Sequence, residues 1–164
     1  MYRFVMLSLL ALAPVHGGDW GPLEFLIGKW VGSGDGRPGQ GSGAFSFTPD
    51  LQDNVLVRRS FAEYPPANGK PGFRHDDLMI VYRDGSPDRF RAIYFDSEEH
   101  TIQYSVKGVA GAVVFESAGA AGGPRYRMTY TPAGEGRAKF KFEIAPPGQD
   151  FATYIEADLH REKP

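Results

Sequence analysis

The chain contains no cysteine. That excludes disulfides, a lipid-modified N-terminal cysteine and a thiol nucleophile, so if exported it must rely on its core alone. An excess of either charge is also missing: 18 basic residues stand against 20 acidic ones, with the signs interspersed. Such a surface argues against nucleic acid and against an anionic membrane as partners. No internal repeat stands out, no convincing long helix is present, and no apolar run beyond residue 14 is long enough to span a bilayer. A G-x-S-x-G elbow is absent. Gly32, Gly34 and Gly36 imitate a phosphate loop in spacing alone, since neither a Lys-Ser/Thr pair nor a helix follows them. Arg125-Tyr126-Arg127 has the composition of a base-stacking surface but reads as one amphipathic strand.

What is present begins with a leader. Arg3 precedes an apolar run from Phe4 to Pro14, and Val15-His16-Gly17 supplies small residues before a cut. This layout predicts a signal peptide over residues 1–17 and an exported protein, periplasmic or secreted; an uncleaved N-terminal tether is the alternative. Residues 18–164 then form one domain of about 147 residues. Loss of Arg3, with no acid lost, brings its net charge to about −3.

From Lys29 to His160 the pattern predicts about ten short strands. Leu78, Ile80 and Tyr82 alternate with Met79, Val81 and Arg83; Phe90, Ala92 and Tyr94 with Arg89, Arg91, Ile93 and Phe95. The same rhythm recurs in Ile102-Tyr104-Val106, Tyr126-Met128-Tyr130, Phe140-Phe142-Ile144 and Phe151 to Leu159, one face apolar and aromatic, the other charged. Gly- and Pro-rich turns separate these runs at Asp84–Pro87, Gly108–Gly111, Gly119–Pro124, Pro132–Gly136 and Pro146–Gly148. Two connections are long, Gly32–Gly43 and Tyr64–Arg74. Leu23–Ile27 allows a turn or two of helix, expected to plug one end. Many short strands must hide their edges, and an all-β, single antiparallel up-and-down barrel hides them all.

Leu26-Ile27-Gly28-Lys29-Trp30, followed by Val31-Gly32, resembles the G-x-W opening motif of lipocalin-like (calycin) barrels, set between a short helix and strand one. It is similar also to the start of nitrobindin-type haem barrels. Asp77–Tyr82 and Ala92–Asp96 resemble bacterial exported lipocalin-like families of unknown function. The resemblance covers nearly all of residues 18–164 and implies a barrel whose ligand differs from family to family. It also implies a closing pair, Arg161 stacked on Trp30, contributing on the order of 0.5–2 kcal/mol. In the nitrobindin comparison the iron-ligand position falls on Tyr154, not on a histidine. Tyrosinate can ligate ferric haem, but an outward strand tyrosine reads first as surface, and no cofactor is assigned.

Simple up-and-down running gathers Glu63, His75, Asp76, Asp77, Asp96, Glu98, Glu99 and His100 on one rim. His75, Asp77, Asp96 and His100 are the candidate metal or acid–base set, with Arg91 as an anion-binding neighbour. Against that reading, charges where strands turn are usually solvated. Three functions follow. The first is a binding module for a small apolar or amphipathic ligand, its interior lined by Phe90, Tyr94, Tyr104, Phe115, Tyr126, Met128, Tyr130, Phe140 and Phe142. An enzyme or metal protein using the rim is the second, and a filled structural barrel of the cell envelope the third. The binding module is the expectation taken forward, with no catalytic residue assigned.

Overall fold

A computed structural model of the chain describes residues 18–33, 41–66, 69 and 71–162. The expected leader over 1–17, and Gly34 and Gly36, lie outside these residues. Ten strands run in chain order: β1 (Gly28–Ser33), β2 (Ser42–Asp50), β3 (Val55–Tyr64), β4 (Phe73–Arg83), β5 (Phe90–Asp96), β6 (Thr101–Val109), β7 (Ala112–Ser117), β8 (Arg125–Pro132), β9 (Arg137–Ala145) and β10 (Ala152–Arg161). Each pairs antiparallel with the next, and β1 pairs with β10, so the sheet closes into an all-β up-and-down barrel with no free edge. Among the described residues no helix is long and apolar enough to cross a membrane.

A short 3-10 helix, Gly21–Leu26, precedes β1 and carries Pro22 in its first turn, where a fixed φ suits the helix. It plugs one end of the barrel as the sequence predicts. Leu23 and Leu26 are fully buried, and Trp20 lies against Phe90 with ring centroids 5.9 Å apart. The Arg83 guanidinium lies 4.4 Å from the Trp20 ring and donates to the Asp19 carbonyl. Above this plug Phe47, Leu56, Met79, Val81, Phe90, Val106, Val113 and Phe115 form a dense buried layer.

The closing pair is present. Trp30 and Arg161 face each other across β1 and β10, with the guanidinium 4.6 Å from the indole centroid. Arg161 also donates to the carbonyls of Phe25 (2.7 Å) and Ile27, while the indole N–H donates to the Leu26 carbonyl at 2.9 Å. One side chain thereby ties the plug to both strands at the seam. Gly28 makes room for it: its φ is +113°, and a Cβ there would sit 2.6 Å from the Arg161 Nη1.

The strand faces differ from the sequence pattern in two places. On β4 it is Met79 and Val81 that are buried inside, so Leu78, Ile80 and Tyr82 form the outer face, half-buried. In β10 the register slips between Thr153 and Ile155, a bulge that turns Tyr154 from the outer face to the barrel mouth.

Candidate functional site

The interior is filled at one end and hollow at the other. Above the buried layer lies a cavity of about 710 Å³ that opens at the rim opposite the plug, within the usual 300–1,000 Å³ of small-molecule sites. The rim is built from the ends of β1, β3, β5, β7 and β9 and the starts of their partners. Tyr64 and Phe73 stack there with centroids 4.6 Å apart.

The two walls differ in chemistry. From β8, β9 and β10 come Tyr126, Met128, Phe140, Phe142, Ile144, Ile155, Ala157 and Leu159. Tyr126 and Phe142 stack at 6.1 Å, and Tyr154 meets Phe142 edge-on at the mouth. The facing wall is polar: Arg58 and Ser60 from β3, His75 and Asp77 from β4, Tyr94 from β5 and Tyr104 from β6. Tyr130 on β8 lies on the cavity floor, edge-on to Phe45 and Phe115.

Arg58 is the centre of the polar wall. It is 6% exposed, donates through Nη1 to Asp77 and through Nη2 to the Ser60 hydroxyl at 3.0 Å, and stands 5.3 Å over the Phe45 ring. Burial pushes its guanidinium down, but the Asp77 carboxylate and the nearby phenols of Tyr130, Tyr94 and Tyr104 together outweigh that and hold it up. The pair is an ion pair taken out of water, costly to build and weak evidence of a purely stabilising role. Its Nε–H has no hydrogen-bond partner among the described residues. The Tyr130 hydroxyl lies close enough to feel the Arg58 charge, yet makes no hydrogen bond of normal geometry. Burial pushes the phenols of Tyr94, Tyr104 and Tyr130 well above the usual tyrosine range, so all three remain O–H donors.

The rim residues resolve into separate pairs. His75 lies between the Tyr94 hydroxyl (Nε2, 2.9 Å) and the Glu98 carboxylate (Nδ1, 3.0 Å). His100 Nδ1 meets Asp96 Oδ2 at 2.9 Å, and Asp96 Oδ1 accepts from the backbone N–H of Glu98 and His100. Burial pushes the Asp96 carboxyl up, but these hydrogen bonds prevail and hold it below the usual carboxylate range. Asp76 and Glu63 face outward and share Arg74. The topology thus brings His75, Asp77, Asp96 and His100 to one rim, but no three His, Asp or Glu residues gather as a metal-ligating group among the described residues. Arg91 is not their neighbour. It starts β5 at the plugged end and binds Asp84 there at 2.6 Å.

Of the aromatics expected inside, Phe90 and Phe115 are packed below the cavity, while Tyr94, Tyr104, Tyr126, Met128, Tyr130, Phe140 and Phe142 line it. Tyr154 also lines it but is 60% exposed at the mouth. In the described lining the Arg58 guanidinium is held by Asp77, and His75 and His100 each meet a carboxylate. Sequence reasoning missed Arg58 and Ser60, which share the inner face of β3 with Leu56; the apolar flank Val55-Leu56-Val57 conceals the period-two signal there. No protein-family model matches the chain, and no curated protein matches it.

Proposed function

We propose that this chain is an exported, lipocalin-like barrel that binds a small apolar or amphipathic molecule in its upper half. The observation that supports this reading is the cavity of about 710 Å³, open at one rim and walled by aromatic side chains, above the core packed at the plugged end. A barrel that needed only stability would fill its whole interior, because unfilled volume forfeits dispersion contacts. Ten-strand closure and the Trp30–Arg161 seam support the lipocalin-like comparison, and the apolar run from Phe4 to Pro14 supports export. The rim histidines each have a carboxylate of their own, an arrangement suited to fixing the mouth's shape.

Native mass spectrometry of the protein secreted from its own leader tests the reading. The expected result is a folded monomer mass plus one small organic mass that leaves on denaturation. A clean polypeptide mass, from protein that also takes up no uncharged dye, would sink the proposal.

A further inference from the structure

Resting on that reading, we propose that the occupant is an uncharged ring compound bearing a carbonyl or hydroxyl oxygen, seated with that oxygen against Arg58 and Tyr130. Three observations converge on this. The cavity has an apolar aromatic wall facing a polar wall along its length, so it suits a flat molecule polar along one side better than a chain polar at one end. The described ionisable lining is one guanidinium, Arg58, against three carboxylates, Asp77, Asp96 and Glu98, with His75 and His100 already hydrogen-bonded to Glu98 and Asp96. Arg58 is already neutralised by Asp77, so a carboxylate or phosphate entering here would meet excess negative charge with no spare cation.

The third observation is that two buried groups beside each other, the Arg58 Nε–H and the Tyr130 hydroxyl, make no hydrogen bond of normal geometry among the described residues. Leaving such a group unpaired is costly in a low-dielectric interior. One ligand oxygen with two lone pairs accepts from both. Neither atom is exposed, so meeting the ligand requires each side chain to turn a short way toward the cavity. The stacked Tyr126 and Phe142 rings on the facing wall then cover the apolar face of the ligand.

Matched fluorophores test this with the full folded protein. The first pair is N-phenyl-naphthylamine and its sulfonated counterpart, anilinonaphthalene sulfonate, which share an arylamine skeleton and differ in charge. The uncharged dye is expected to bind on the order of tenfold more tightly. The second probe is propionyl-dimethylaminonaphthalene, an uncharged naphthyl ketone whose emission moves to the red when its carbonyl accepts hydrogen bonds. Bound to wild type it should emit further to the red than when bound to the Arg58→Met/Asp77→Leu double variant. N-phenyl-naphthylamine affinity should stay within about twofold, because that dye has no oxygen to seat.

Should the double variant fail to fold, Tyr130→Phe serves alone and should move the ketone emission to the blue. Equal affinity for the sulfonate overturns the uncharged assignment. Ketone emission unchanged in the folded variants overturns the oxygen seat. Either result leaves the carrier reading standing, whereas failure of every dye to bind wild type overturns both.

Discussion

Arg58 shows how one residue sets the chemistry of a site. Removing it alone leaves Asp77 buried and unpaired, so Arg58→Met should cost about 3–5 kcal/mol in denaturant unfolding, and the Asp77→Leu partner change should restore most of it. Tyr130→Phe should do the opposite of an ordinary core truncation. Its hydroxyl is buried and makes no hydrogen bond of normal geometry among the described residues, so the variant should be as stable as wild type or more stable, by up to about 1 kcal/mol. A loss above that would mean that the hydroxyl is paired in solution. On the outer face Arg127 grips the buried Glu143 carboxylate with two hydrogen bonds, 2.8 and 3.1 Å, and holds it below its usual range. The aromatic lining was legible in the sequence because Tyr126, Met128 and Tyr130 alternate cleanly with polar residues. The buried arginine was not, because two adjacent arginines, Arg58 and Arg59, fall on opposite faces and neither announces which is inside.

Among the elements, the turn between β2 and β3 is the least expected. Leu51, Gln52 and Asp53 all have positive φ, at 50°, 56° and 64°, without a glycine among them. Local bonds hold it: the Asp50 carboxylate accepts from the Leu51 N–H at 2.6 Å, and the Asn54 amide donates to the Leu51 carbonyl at 2.7 Å. Each such residue strains the backbone by roughly 1–2 kcal/mol. Gln52→Gly should therefore raise the unfolding midpoint, and a lowered midpoint would show that the turn is not strained. Gly28→Ala should act the other way, since it strains φ and drives Arg161 off Trp30. It is expected to cost more than the roughly 0.5–2 kcal/mol of the stacking itself. Hairpins marked by Gly and Pro were readable from the sequence for a physical reason, since those residues make tight reversals cheap. The 51–53 turn and the Tyr154 bulge carry no such mark, and only long-range pairing of β2 with β3 and of β9 with β10 reveals them.

At the scale of the molecule, the barrel has a filled lower half and a hollow upper half lined by aromatic and polar side chains. Acid should erode stability in a defined window. Asp96 and Glu143, both nearly buried, have carboxyls held below their unfolded values. Their contribution is complete above the ordinary carboxyl range near pH 4 and is lost as pH falls through the folded values. Thermal unfolding between pH 6 and pH 2 checks this, and Glu143→Gln should flatten the acid side of the curve. Alkali works by the reverse sign. Phenols of Tyr94, Tyr104 and Tyr130 are raised, so stability falls as pH climbs past about 10, where an unfolded chain ionises and the folded one does not.

The closed ten-strand form was legible because edge-hiding leaves few alternatives to a chain of short alternating strands. Whether its interior was full or open was not legible, since Phe90 and Phe140 look alike in sequence and only depth in the barrel separates them. The most direct measurement is therefore a titration of N-phenyl-naphthylamine fluorescence with the folded monomer, alongside Ala157→Trp, which puts an indole into the cavity wall. Saturable binding of one dye per chain, lost in a variant with an unchanged circular dichroism spectrum, is the predicted result. Absence of saturable binding to folded wild type, or equal binding by Ala157→Trp, would contradict a carrier barrel.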